Sequence, residues 1–498
     1  MKGDFTRDTF DPAKQFSRVL MQQGRVTLDA DFNEQAAILL HYIRTLATDL
    51  IGPYAAPAFN GGFQLSFDKK NNDLVISQGR YYVDGILVEN EGMPNDQPTY
   101  YSQQPNCLLP ADDPLLAELK SPTGGVFWAY LDVWERHITF IEDDAIREKA
   151  LNGPDTCTRA KVVWQVRALP ASKLPDPGIL PGGATVISCS APMGLLTSVS
   201  KALMAARINP GAKTQDACVT PPDSKYRGVE NQLYRVEIHT PGTAATGAAF
   251  KWSRDNGSNA SAWLSTTGND IKVVRGTGFS AGNWIELTDD TKELSGLPGL
   301  LVKLSKVEGH TLTVDPASIP DPSALVLSDL FVNPKVRRWD QISDTGAVPI
   351  VEQSPAANAW IPLEDELQIQ FSQNGQYITG DYWLIPARVT TGSIEWPPLT
   401  DATGEPVIKD GVVVPDALPP DGIEHHYAPL GFFSLDGRAG FTFGTCRCTF
   451  EPASTCFRAP NVTPDKPLTR PVNFEARLLS EEAVEESAAA PLVKKRKK

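Results

Sequence analysis

IKVVRGTGFSAGNWIELTDDTKELSGLPGLLVKLSKVEGHTLTVDP, Ile271 to Pro316, is the stretch on which the fold turns. It is built from short apolar runs, IKVV, WIEL, LLVKL and TLTV, parted by turns in which glycine recurs. Strand-length runs at about 8–12 residue spacing with turn residues between them describe a small barrel or sandwich.

The reading extends in both directions. Upstream, LYRVEIH (Leu233 to His239) and AAFKWSRDNGSNASAW (Ala248 to Trp263) are strands, the latter folded about an Asn256-Gly257 turn. DLVISQGRYYVDGILVEN (Asp73 to Asn90) alternates about Gly79 and an Asp84-Gly85 turn, as a hairpin or meander does. VFWAYLDVWERHITFIE (Val126 to Glu142) and RAKVVWQVRAL (Arg159 to Leu169) look like partner strands around a short helical insert, DDAIREKAL. Downstream, ELQIQFS and QYITGDYWLIPARV continue the pattern. With 38 Gly and 41 Pro, the class is mainly β: a multi-domain chain of β-sandwich or small-barrel domains behind an N-terminal helical docking segment. At roughly 150 residues per domain the length suggests about three domains. We expect a docking segment at 1–55, β-rich parts at 56–185 (up to the loop KLPDPGILPGGAT), 186–330 and 331–475, the second with its barrel-like part at 271–316, and a disordered charged tail at 476–498.

The N-terminal segment has its own logic. Asp11-Pro12 starts a helical turn that would carry Phe16, Val19 and Leu20, and Gly24 ends it. Asp31 is the expected N-cap, with Glu34 at capping-box spacing. Ile38, Leu39, Tyr42, Ile43, Leu46 and Leu50 then recur at helical intervals until Gly52-Pro53. An aromatic lead-in followed by an amphipathic helix is what a docking joint requires. The expected docking residues are Phe5, Arg7, Phe10, Phe16, Arg25, Phe32, Asn33 and Glu34. The rival reading is that the helix caps the sheet of its own domain.

Each chemical candidate has a plain competitor. His425, His426, Cys446, Cys448 and Cys456 are soft ligands close in sequence, yet C-R-C spacing is short for zinc and adjacent histidines on a strand face opposite ways. No metal and no cofactor is expected. Trp252 and Trp263, beside the turn RDNGS, could form a glycan platform, against which stands ordinary inter-sheet packing. Asp132, Glu135, Glu142, Asp143 and Asp144, near His137, would serve a glycosidase only if two faced one cleft. G-x-S-x-G, G-x-x-x-x-G-K-[ST], H-E-x-x-H and strand-to-helix G-x-G-x-x-G are missing. No enzyme is expected.

A formal charge of -14 argues against nucleic-acid binding by the body, and the basic KKRKK (Lys494 to Lys498) follows an acidic stretch. No run approaches the roughly 20 apolar residues of a membrane span. The seven cysteines, odd in number and thinly spread, read as free thiols in a cytoplasmic protein.

FTRDTFDPAKQFSRVLMQQGRVTLDADFNEQAAILLHY, WAYLDVWERHITFIED with GPDTCTRAKVVWQVR, LYRVEIH with FKWSRDNGS, GDYWLIPAR and DGIEHHYAPL together resemble a family of uncharacterised proteins encoded beside phage-tail-like contractile injection systems. The resemblance runs over residues 5–450. QQGRVTLDADFNEQ is also similar to the N-terminal segment of phage baseplate and tail-fibre proteins. This implies a structural component of a baseplate or tail periphery, multimeric in the assembly, whose partners are other tail or baseplate subunits.

Overall fold

In the computed structural model the stretch that opens the sequence reading supplies four of the six strands of a closed barrel, and the remaining two lie outside the expected 271–316. Six strands form a barrel in the order Ala260–Thr267, Asp270–Val273, Thr311–Val314, Leu300–Glu308, Trp284–Thr288 and Lys335–Trp339, each antiparallel to its neighbours. Alternate residues fill the interior: Ile271 and Val273, Ile285 and Leu287, Val302 and Leu304, Leu312 and Val314. The period of two along each strand puts them there. The structure describes residues 1–451, apart from 111, 154, 175–177, 180–184, 187–188, 190–192, 197–199, 212–224, 322–324, 329, 355–358 and 437–439. Cys218, Cys456 and the expected tail lie outside the described residues.

The barrel is an insertion within an insertion. Before it, Gln232–Thr240 pairs with Ala249–Ser253; after it, Tyr382–Arg388 returns to the other edge of Gln232–Thr240. That sheet and a second of Met204–Ile208, Leu367–Phe371 and Ile361–Pro362 enclose a core around Tyr234, Phe250, Trp252, Ile369, Phe371 and Trp383. This sandwich in turn interrupts an outer one. Val126–Ile138 pairs along its length with Arg159–Pro170 on one side, and on the other with His425–Asp436, which arrives nearly 300 residues later. The outer core gathers Phe63, Tyr81, Leu131, Trp164, Leu430 and Phe433. The chain from 331 onward is therefore shared among all three cores, and boundaries drawn along the sequence do not separate them. All three cores lie in one compact unit, Met1–Phe450.

The N-terminal helix, α1, runs Asp29–Ile51. Asp31 is not its N-cap but its third residue, where the carboxylate accepts from the Leu28 amide at 3.2 Å. Glu34 turns instead to the Thr9 hydroxyl at 2.5 Å. Gly52, at φ +91°, stops the helix and donates to the Thr48 carbonyl at 2.8 Å. The lead-in forms one short 3-10 turn, Pro12–Lys14, so Phe16, Val19 and Leu20 share no helix. Asp84 and Gly85 both take positive φ in the turn between Gly79–Val83 and Ile86–Asn90. A Cβ on Gly85 would overlap the Arg44 carbonyl, so α1 rests directly on that turn. Among the described residues no helix is long and apolar enough to cross a membrane.

Candidate functional site

Strand alternation gives each sheet a polar face, and here several polar faces meet one another instead of water. Arg235, Glu237 and His239 alternate with the core residues Tyr234, Val236 and Ile238; Lys251 stands between Phe250 and Trp252; Glu286 lies between Ile285 and Leu287. Lys335 and Arg337 flank Val336. Of these side chains, Arg235, Glu237, Lys251, Glu286 and Arg337 converge on a cavity of about 290 Å³, also lined by Lys2. Arg235 Nε lies 2.6 Å from Glu237, while Lys251 Nζ lies 3.3 Å from Glu237 and 2.6 Å from Glu286. Trp339 Nε1 donates to the other oxygen of Glu286 at 2.9 Å, and the Lys251 ammonium sits 4.4 Å from the Trp339 ring centre.

Burial alone would raise both carboxyl groups. Instead Lys2, Arg235 and Lys251 hold Glu237 far below its ordinary range, and Lys251 and Lys2 bring Glu286 down to about 2. Burial, aided by Arg337, presses His137 down to about 3, and burial with Lys251 presses His239 down to about 4. A general acid or base works best with a pKa near the operating pH. These four groups are locked in one protonation state at neutrality, as members of a structural charge network would be.

The first residues of the chain thread into this junction. Asn256 of the DNGS turn, wholly buried at φ +53°, donates its amide to the carbonyls of Met1 at 3.0 Å and Gly3 at 2.9 Å. Lys2 Nζ reaches Glu237 at 3.0 Å. Of the expected docking residues, several are spent inside the molecule: Phe5 packs edge-on against His137 at 5.9 Å, Arg7 pairs with Glu395 at 2.7 Å, and Phe10 lies 5.6 Å from His41. Glu34 holds Thr9. Phe16, Arg25, Phe32 and Asn33 are exposed.

α1 keeps most of its large apolar side chains outside. Ala30 and Ile38 are its only buried residues, whereas Phe32, Leu39, Ile43, Leu46 and Leu50 are 53–76% exposed. Arg44 anchors the inner side through Glu135 at 2.9 Å. The helix thus rests on the body through Ala30, Ile38 and the Arg44–Glu135 pair, over the Asp84-Gly85 turn of its own sheet, while the Phe32–Leu50 stripe stays outside.

The remaining candidates are corrected by burial and pairing. Trp252 and Trp263 are 2% and 3% exposed, in the cores of the inner sandwich and the barrel, so neither indole can stack on a glycan. His425 Nδ1 meets Asp132 at 2.7 Å and His426 Nδ1 meets Asp84 at 2.9 Å, the two rings diverging as neighbours on a strand must. Cys446 is bonded to Cys189, 257 residues away, with Cα atoms 5.5 Å apart. That overturns the free-thiol reading for this pair, because the nested topology and not sequence spacing makes them neighbours. Cys107, Cys157 and Cys448 are free. Of the acidic run, Glu135 is paired to Arg44, Asp143 caps a 3-10 turn, Asp144 pairs with Arg147 at 3.0 Å, and Glu142 serves a second network. There Glu142, Asp290 and Glu293 form the one cluster of metal-ligating type among the described residues, and the Lys335 ammonium bonds all three. Burial disfavours that charge, yet the three carboxylates raise the Lys335 pKa, so a lysine fills the cation position.

Sequence reasoning did not pick out Lys2, Arg235, Glu237, Lys251, Glu286 or Lys335. Their only signal is a charged residue between two apolar ones in a strand, the same pattern that a solvent-facing side produces.

No curated protein and no solved structure matches the chain significantly. A family profile, described as a family of unknown function (DUF6519), matches residues 1–175 and 189–494, and so covers the strands of all three cores. The chain is a member of this family, DUF6519.

Proposed function

We propose that this chain is a structural, non-enzymatic component of a contractile, phage-tail-like particle, at the baseplate or tail periphery, and that its N-terminal segment is the element by which it docks. The observation that carries the reading is the outward apolar stripe of α1 on a helix fastened to the body through Ala30, Ile38 and the Arg44–Glu135 ion pair. Contiguous apolar surface of this kind marks interaction sites on soluble proteins. The motif resemblance to proteins encoded beside contractile systems supplies the setting, and the charge network supplies rigidity. The Cys189–Cys446 bond suits a particle that works outside the reducing cytoplasm in which it is made.

The test uses substitutions and not a deletion of residues 1–53, since removing Lys2 and Gly3 would open the buried junction. The full chain and its Phe32→Glu/Leu39→Glu variant are incubated with native particles lacking the endogenous copy, and particle-bound chain is measured by mass spectrometry. Binding of the wild type to baseplate, sheath or tube subunits with loss in the variant is expected. No association of either with any particle component sinks the reading.

A further inference from the structure

We infer that α1 is a self-association element whose outward stripe packs against the same stripe on a second copy of this chain. The inference rests on the docking reading above and names the partner. Within Asp29–Ile51, the residues Phe32, Ala36, Leu39, Ile43, Leu46 and Leu50 follow at alternating steps of four and three. That is the heptad spacing that keeps an apolar seam turned toward a like helix over several turns. All six are exposed. An ordinary surface helix lays this stripe on its own core; here it is free.

Two features favour a copy of this chain over a foreign groove. Of the positions flanking the seam, Asn33, Gln35, Leu40, Tyr42 and Ala47 are uncharged and only Asp49 carries charge. Two such seams therefore meet with almost no like-charge repulsion, although the whole chain carries -14. A partner selected by complementary charge would find little to read there. The surface is also large enough. Between Phe16 and Leu50, twelve large apolar side chains are at least 43% exposed. At roughly 60 Å² newly covered apiece the seven on α1 offer on the order of 400 Å², and the five of the lead-in bring this to about 700 Å², close to the ~800 Å² per partner of a stable interface.

The experiment is light scattering on size-fractionated full chain across a hundredfold concentration range. The wild type should show the mass of two or three chains. Leu39→Glu/Leu46→Glu should bring it to one chain with an unchanged thermal melt, since both residues point away from the core. Val229→Glu, at a residue 95% exposed outside α1, should leave the oligomer intact. A wild type that is monomeric throughout overturns the proposal, as does an oligomer that persists in the double variant. A monomer that still binds purified particles through α1 removes self-association and leaves the docking reading standing. A monomer that binds no particle removes both.

Discussion

Lys2 Nζ lies 3.0 Å from Glu237 Oε1, so the second residue of the chain neutralises a carboxylate in the sheet of the innermost sandwich, with only 3% of the glutamate side chain exposed. Glu237 is also held by Arg235 and Lys251. The contact is thus one of three on the acid but the main one on the lysine.

That asymmetry sets the first prediction. Glu237→Gln leaves three cations facing one another in a buried site and should cost about 3–5 kcal/mol, the usual loss when one partner of a buried pair is removed. Lys2→Met leaves Glu237 two partners and should cost less than half of that. Urea melts of both variants check the order; equal losses would mean that Lys2 is the principal counter-ion of the network.

Stability should fall as the solution is acidified, in two stages. His137 and His239 are depressed to about 3 and about 4, so below pH 6.5 the unfolded chain takes up protons that the folded one does not, and stability is lost from there down to about pH 3–4. Glu286, depressed to about 2, and Glu237 contribute stability that is present above pH 4.5 and lost below it. Asp381, raised by burial to about 6, works oppositely, its ionisation costing stability as pH rises from 3.8 to 6. The two histidines outweigh it by roughly two to three fold. Melting temperature measured from pH 7.5 to 4 should decline, and His137→Gln/His239→Gln should flatten the upper part of the curve. A flat profile in the wild type would contradict the burial of both rings.

Cys189 and Cys446 close a loop with a sequence separation of 257. Bonds across long loops contribute typically about 2–5 kcal/mol, chiefly by restricting the unfolded chain. Cys446→Ser should lower stability by that amount, and reductant should lower the wild type to the same level while leaving the variant unmoved. Thiol counting under denaturation should give five reactive cysteines before reduction and seven after, if Cys218 and Cys456 are free.

Gly85 combines φ +77° with direct contact to the Arg44 backbone, so Gly85→Ala strains a turn and pushes against α1 together. A loss of roughly 1–3 kcal/mol is expected. Limited proteolysis should then cut between Gly24 and Pro53 faster than in the wild type. Unchanged cleavage would mean that Arg44–Glu135 and Ile38 hold the helix without the turn.

Local elements were legible in the sequence where the cause is local. Gly52-Pro53 ends α1 because a positive φ at one residue suffices to stop a helix, and Asp84-Gly85 and Asn256-Gly257 reverse the chain through positive φ as well. Short alternating runs parted by glycine turns pointed to a barrel or a sandwich, and the pairing of Ala260–Thr267 with Lys335–Trp339 decides for the barrel. The N-cap was not legible, because Asp31 and Glu34 could each serve several amides or hydroxyls, and the lead-in that folds back over α1 settles which.

By itself the sequence determined a mainly β chain, its turns, a run of short strands suited to a barrel or a sandwich, and a helix with one apolar stripe. Only the tertiary structure decided that this stripe faces outward, that Trp252 and Trp263 are core, that Cys446 meets Cys189, and that the polar sides of LYRVEIH, FKW, WIELT and KVRRW are buried against one another. Alternation along a strand records that one face is polar, and it carries no information about whether water or another sheet lies opposite. That is fixed by which distant segments the nested topology brings together.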